Sequence, residues 1–150
     1  MDDFNTLEKL EEYIKQANCY GEYNYCFTAQ MEDKLGLFLL GSMGGALGGA
    51  LASKLKSKDA IGYILNKNEK GIGIIPIVEE NKKQRVAAER LVFLGNNDID
   101  KVIIKNDGIG FRLIKIVMKD KSKFGFKMAK KIKNIDYHEK NLNKFIECYK

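Results

Sequence analysis

The run of eighteen uncharged residues over 35–52 constrains the fold of this chain more than any other feature. At about 100° per residue, five of its six glycines gather on one face of a helix. These glycines are Gly41, Gly44, Gly45, Gly48 and Gly49. Leucine and methionine side chains fall on the opposite face. The pattern predicts a helix over 35–55 with a smooth face for close backbone contact and a bulky face for burial.

This glycine-rich helix needs a packing partner, because each glycine in a helix interior costs about 1 kcal/mol relative to alanine. Three partners are open: the chain's own fold, a second copy of the chain, and a membrane surface. Packing against protein is favoured, since a packed face is the usual source of helix stability. A transmembrane span is disfavoured, because eighteen residues reach about 27 Å and the hydrocarbon core is about 30 Å thick. The five glycines are therefore candidate residues for helix packing or self-association.

Charge is unevenly distributed along the chain, whose 150 residues suit a single domain. Residues 1–33 carry eight acids and two lysines, whereas residues 112–133 carry nine bases and one acid. A strongly positive field attracts lipid head groups, nucleic acid or an acidic protein. The alternative is a solvated lysine-rich surface without a ligand. The candidate anion-binding residues are Lys119, Lys121, Lys123, Lys127, Lys130 and Lys131.

The N-terminal part predicts one helix and one strand. Residues 5–17 have apolar positions at helical spacing, with Asn5 as the expected cap and Glu8 in the capping-box position. Residues 22–31 then alternate apolar and polar side chains, which is typical of a half-buried strand.

Short apolar runs follow the glycine-rich helix and predict strands over 61–65, 72–78 and 91–94. Pro76 suggests an edge position or a bulge in the second of these strands, because proline cannot donate a backbone hydrogen bond. The polar residues 79–89 predict a short helix or a loop.

The last third of the chain predicts a hairpin, a strand and a helix. Strands at 101–105 and 110–118 flank Asn106-Asp107-Gly108, a strong turn signal. Residues 123–128 alternate again. The final helix is expected to be capped by Asp136, with Glu139 in the capping-box position. Its apolar stripe consists of Leu142, Phe145, Ile146 and Tyr149.

Several short strands and one closing amphipathic helix favour a closed or half-closed antiparallel barrel. This order resembles the pleckstrin-homology superfold in its bacterial, GRAM-like form. The resemblance is carried by residues 62–66, 73–76, 99–104, 111–118, 124–128 and 141–149. It covers about residues 60–150, with 22–31 as the first strand.

The resemblance implies an α+β fold in one domain over 1–150, an antiparallel β-barrel closed by the C-terminal helix. An N-terminal helix within 1–20 precedes it, and the glycine-rich helix is inserted after the first strand. It also implies a scaffold that binds lipid or protein without catalysis. Members often carry a tryptophan in the closing helix, a role expected here of Phe145. The glycine-rich segment replaces the hairpin that holds the basic motif of inositide-binding members, so inositide specificity does not transfer.

Residues that carry chemistry are sparse. His138 is the only histidine and is expected to be a solvated surface residue. The cysteines lack the close spacing of a zinc site, and Cys19, Cys26 and Cys148 are expected to act mostly as small apolar residues in a reducing cytoplasm. The glycines match neither the P-loop nor the dinucleotide fingerprint. We therefore expect no enzyme, no cofactor and no metal site.

The functional expectation is a non-enzymatic binding or scaffold module that self-associates through its helices and presents a basic surface to an anionic partner. That partner is a protein or a lipid head group. The alternative is a peripheral membrane protein that inserts its glycine-rich helix into lipid. Nonspecific nucleic-acid binding is less favoured, because alternation turns Phe124 and Phe126 toward the core and away from the neighbouring lysines. The expected location is the cytoplasm, at a membrane surface in the alternative.

Overall fold

Two helices and eight strands make up the part of the chain that the computed structural model describes, residues 6–31, 55 and 59–150. In chain order they are α1 (Leu7–Gln16), β1 (Tyr25–Met31), β2 (Ala60–Asn68), β3 (Gly71–Glu80), β4 (Lys83–Val86), β5 (Val92–Gly95), β6 (Ile99–Asp107), β7 (Phe111–Met118), β8 (Lys123–Ala129) and α2 (Asp136–Glu147). The predicted glycine-rich helix, with Gly41, Gly44, Gly45, Gly48 and Gly49, lies outside the described residues.

The strands form one antiparallel sheet in the order β4-β3-β2-β1-β8-β7-β6, with β5 also paired to β3. Strand β1 is shared, because residues 25–29 pair with β2 while Gln30 and Met31 pair with β8. The sheet curls into a half-barrel, so the predicted α+β class with a curled antiparallel sheet is confirmed at that level. We call β2–β5 the first half of the sheet and β6–β8 the second half.

The main core lies on the inner face of the curled sheet and is closed by α2. Phe27 of β1 and Phe126 of β8 are fully buried there. Helix α2 adds Leu142, Phe145 and Ile146, as its apolar stripe predicted. The Phe145 ring meets the Phe27 ring edge-on, with 5.3 Å between centroids. Aromatic pairs of this geometry add to the stabilisation from burial.

A second core lies between α1 and the outer face of the first half. Leu10 and Ile14 of α1 pack with Ile64 of β2 and Ile75 of β3, all four fully buried. Cys26 of β1 belongs to the same cluster. Strands β2 and β3 are consequently buried on both faces, and β1 is buried on a face that alternation had predicted to be polar.

Both predicted helix caps are wrong by one residue. In α1 the N-cap is Thr6, whose Oγ1 accepts from the Lys9 backbone N–H at 3.3 Å. The residue three positions after this cap is therefore lysine, and the expected cap Asn5 lies outside the described residues. In α2 the N-cap is Ile135, with Asp136 as the first helical residue. A tight turn, in which the Ile135 N–H donates to the Ile132 carbonyl at 3.1 Å, sets where α2 begins.

The predicted helix or loop over 79–89 is wrong, because β3 extends to Glu80 and β4 returns as its hairpin partner. The turn consists of Asn81 and Lys82, with φ of +52° and +64°. Two residues with positive φ are typical of the turn that matches the twist of a hairpin. Only residues 88–90 form a short 3₁₀ turn.

Pro76 does not mark an edge strand, because β3 has neighbours on both sides. Strand β5 pairs with residues 71–74 of β3, and β4 pairs with residues 77–80. Pro76 lies between these two stretches, where its carbonyl accepts from the Ala87 N–H at 2.9 Å. On this side of β3 the partner changes from β5 to β4 at Pro76. The backbone N–H that proline lacks is therefore missing at the point where the partner changes.

Candidate anion-binding surface

The outer face of the second half of the sheet carries lysines from all three strands. Inward-facing residues such as Ile104, Ile114 and Phe126 belong to the main core, so alternate residues face outward. Directly paired residues share a face of an antiparallel sheet. The outward rows are Lys101–Val117–Lys123, Ile103–Lys115–Gly125 and Lys105–Leu113–Lys127. We call the five lysines of these rows the basic face: Lys101, Lys105, Lys115, Lys123 and Lys127.

The basic face surrounds a small apolar strip. Ile103 and Leu113 are half-buried and Val117 is buried. Lysine stems can cover such residues while the ammonium groups stay in water. Two acids of the described strands border these rows: Asp100, next to Lys101 in β6, and Asp107, whose Oδ2 lies 3.1 Å from Lys127 Nζ. Exposed ion pairs of this kind are weak, so the face keeps a strong positive potential.

The turn between β7 and β8 extends the basic face at one end. Lys119 and Lys121 are exposed there and, with Lys123 and Asp100, line a shallow depression. The turn is closed by the Met118 N–H, which donates to the Ser122 carbonyl at 2.8 Å.

Asp120 is the one acid among the nine bases of residues 112–133, and its carboxylate is engaged inside this turn. Its Oδ1 accepts from the Ser122 N–H at 2.9 Å and from the Ser122 hydroxyl at 2.5 Å. Ser122 is fully buried. The acid therefore helps to shape the turn that carries Lys119 and Lys121.

The six lysines predicted from the sequence divide into two groups. Lys119, Lys121 and Lys123 lie at one end of β8. Lys127, Lys130 and Lys131 lie toward the other end, where Lys131 forms an exposed ion pair with Glu139 at 3.6 Å. Along β8 the nearest members of the two groups, Lys123 and Lys127, are four residues and therefore about 13 Å apart. Lys115 lies on the face between them.

Sequence reasoning missed Lys101, Lys105 and Lys115. Lys101 and Lys105 lie outside the basic stretch 112–133, in a run that reads as an apolar strand, and Lys115 lies within that stretch but inside a similar apolar run. The Asn106-Asp107-Gly108 signal indicated a hairpin but not its register, because the loop lies two residues later, at residues 108–110. In the observed register, Lys105 pairs with Leu113 and shares the face of Lys127.

His138 is fully buried, so its predicted surface position is wrong. Its Nε2 lies 2.7 Å from the Ala129 carbonyl at the end of β8, and its ring meets that of Phe27 edge-on. Its Nδ1 has no hydrogen-bond partner among the described residues. Burial lowers the pKa of His138, which favours the neutral ring. One turn later, Asn141 Nδ2 donates to the Cys26 carbonyl at 3.0 Å. These two side chains join α2 to both β1 and β8.

Cys26 lies beside this pair, with its Sγ 3.9 Å from Asn141 Nδ2. Burial raises the pKa of the Cys26 thiol to about 12 and that of the Cys19 thiol to about 11. A thiol held protonated is a poor nucleophile. Both side chains are buried in the second core, so their predicted role as small apolar residues is confirmed. Cys148 is exposed instead.

Within residues 6–31, 55 and 59–150, no three His, Cys, Asp or Glu side chains are grouped so that they could hold a metal ion. In the same part of the chain, no helix has the length and apolar character needed to cross a membrane.

Comparisons with known proteins assign this chain to no family. Family models, curated proteins and solved structures all gave no significant match. Its function is therefore inferred from the arrangement of its own side chains.

Proposed function

We propose that this chain is a non-enzymatic binding module of pleckstrin-homology-like architecture, whose basic face binds an anionic partner. The strand order and the C-terminal helix that closes the main core support this architecture. The observation that carries the binding proposal is the register of β6, β7 and β8, in which five lysines share one outer face. The anionic partner is an acidic protein or the head groups of a membrane.

The distribution of charge supports a broad anionic surface as the ligand. The lysines are spread over three strands, and lysine is a compact charge without the fixed fork with which arginine grips a single carboxylate or phosphate. Each lysine near an anionic surface contributes about 1 kcal/mol to binding, so several together give useful affinity that falls with salt. A nucleic acid is a poorer match, because Phe124 and Phe126 are fully buried, which leaves Phe111 as the one exposed ring of the described strands β6–β8 on which a base could stack.

Self-association remains a separate part of the proposal. It concerns Gly41, Gly44, Gly45, Gly48 and Gly49, which lie outside the described residues. The alternative, in which the predicted glycine-rich helix inserts into lipid, concerns the same segment.

The test is a pair of charge reversals with equal net charge. Lys101→Glu with Lys105→Glu alters the basic face, whereas Lys70→Glu with Lys83→Glu alters exposed positions of the first half. Each double variant lowers the formal net charge from +6 to +2. Binding is measured as the anisotropy of a labelled heparin fragment at low salt, after melting curves show that both variants fold.

We expect the variant of the basic face to bind heparin about tenfold more weakly than wild type or worse, because two favourable contacts become repulsive. The first-half variant should lose much less. If both double variants weaken binding equally, net charge alone governs the interaction and the basic face is not a binding site.

A further inference from the structure

The hairpin between β6 and β7 ends in the most exposed apolar side chains of the described chain. Asp107 pairs with Phe111, which leaves Gly108, Ile109 and Gly110 as the loop. Ile109 is 97% exposed and Phe111 is 45% exposed, while the other exposed large apolar side chains lie between 36% and 44%. A Cβ at Gly108 or Gly110 would meet nothing within 4 Å, so the loop projects into open space. The surrounding described residues therefore leave Ile109 uncovered.

Basic side chains surround this apolar tip. Lys127 Nζ lies 4.8 Å from the centre of the Phe111 ring. The Lys130 backbone N–H donates to the Gly110 carbonyl at 2.9 Å, so the lysine-rich segment after β8 starts beside the loop. Residues 105–112 and 127–133 together contain six bases and one acid, Asp107. The aliphatic side chain of Ile109 thus projects from a strongly positively charged part of the surface.

We propose that this hairpin tip inserts into anionic lipid bilayers, with Ile109 entering the boundary between head groups and acyl chains. The inference rests on the proposed function, since it identifies the anionic partner of the basic face as a membrane. An apolar side chain and adjacent lysines bind such a surface together, through burial of apolar area and attraction to anionic lipid.

The shape of the tip favours lipid over the other anionic partners. A fluid bilayer admits a protruding aliphatic side chain without a preformed pocket, whereas an acidic protein would need a cavity that matches Ile109. A nucleic acid would attract the lysines but gain nothing from Ile109, because isoleucine cannot stack on bases. Of these partners, only a membrane makes favourable contacts with both the exposed Ile109 side chain and the lysines around it.

The first experiment compares two isoleucine variants by co-sedimentation with vesicles of phosphatidylcholine, with and without phosphatidylserine. Ile109→Ser removes the apolar tip, and Ile61→Ser makes the same change at a 40% exposed residue of β2. We expect wild type to sediment with the anionic vesicles, and Ile109→Ser to bind them about tenfold more weakly or worse. Ile61→Ser should bind as wild type does, and melting curves should show both variants folded.

The second experiment reports insertion directly. In a Cys148→Ser background, Ile109→Cys and Ile61→Cys are each labelled with an environment-sensitive fluorophore, since the two remaining native thiols are buried. Addition of phosphatidylserine vesicles should shift the emission of the label at 109 to the blue and leave the label at 61 unchanged.

The outcomes separate the two proposals. If Ile109→Ser binds anionic vesicles as wild type does and the label at 109 shows no shift, insertion is wrong, while the heparin result still decides the basic face. If wild type binds a single-stranded oligonucleotide but not phosphatidylserine vesicles, a membrane is not the partner. Equal heparin binding by the two lysine double variants removes the proposed function itself.

Discussion

The two halves of the sheet have similar antiparallel strands but differ in what lies against their outer faces. In the first half, Ile64 and Ile75 face α1 and are fully buried. In the second half, the equivalent outward positions include lysines on every strand. The comparison shows that the outward residues determine what covers each half. Apolar outward residues pack against a helix, whereas charged outward residues leave a solvent-exposed surface that can bind a partner.

The comparison also explains the uneven charge of the sequence. The acidic residues 1–33 include α1, which covers the first half, whereas the basic residues 112–133 include β7 and β8 of the second half. Segments of opposite charge along the chain therefore lie on the outsides of different halves. A protein with this distribution orients in the field of an anionic surface, with its basic face toward that surface.

The largest expected effect comes from truncating one outward isoleucine in each half. Ile64→Ala should lower the free energy of unfolding by about 2–5 kcal/mol, because it opens a cavity between β2 and α1. Ile103→Ala, at a half-buried position of the basic face, should cost about 1 kcal/mol or less. Urea unfolding measures both, and equal losses would mean that the two outer faces are covered to the same extent.

A smaller effect is expected at the seam between the halves, where α2 contacts both β1 and β8. Burial lowers the pKa of His138 from its ordinary value of 6.5. Below pH 6.5 the unfolded chain gains a proton that the folded chain does not, so stability should fall as the pH drops, by at most about 1.4 kcal/mol per pH unit.

Two measurements check this prediction. His138 is the only histidine, so its ring gives one set of NMR signals, which should titrate below 6.5 in the folded chain. In urea unfolding, His138→Gln should remove part of the fall in stability between pH 7 and 5. A native signal that titrates at or above 6.5 would show that burial does not lower the pKa of His138 and would contradict the prediction.

The smallest expected effect leaves the fold unchanged and tests how well the first half is sealed. Cys19 Sγ lies so close to β3 that a Cβ at Gly73 would approach it to 3.1 Å, and Cys26 is fully buried. At neutral pH, a thiol reagent should label one cysteine of the native chain rapidly, Cys148, and all three after denaturation. Rapid native labelling of Cys19 or Cys26 would show that α1 does not protect this half.

Much of the fold follows from local patterns. The Asn106-Asp107-Gly108 sequence predicted the β6–β7 hairpin, although the loop lies two residues later, at residues 108–110, and begins at Gly108 with φ of +71°. The apolar stripe of the last helix predicted the surface that α2 buries. These elements could be predicted because periodicity and turn chemistry act over a few residues.

The errors arose where distant residues decide the outcome. Pro76 suggested an edge, but it lies where two strands share one side of β3. His138 looked exposed on its own helix, yet β1 and β8 close over it. The turn at Asn81 and Lys82 was overlooked because its flanking residues are polar. Periodicity contains no information about which element packs against a given face.

The candidate site was only partly predictable for the same reason. A charge cluster in the sequence identified Lys123 and Lys127, which lie on one strand. The lysines of β6 and β7 join them through the register of the sheet. Ile109 also drew no attention, since a single isoleucine in a turn becomes notable only when its exposure is known.

Because β1 hydrogen-bonds to β2 through one part and to β8 through the other, neither half of the sheet has a complete set of strand partners alone. Loss of β8 removes the strand partner of residues 30 and 31 and the carbonyl that His138 contacts. Unfolding of β8 therefore also destabilises β1. We therefore expect unfolding as one cooperative transition, and a chain still being synthesised cannot complete this sheet until β8 has left the ribosome.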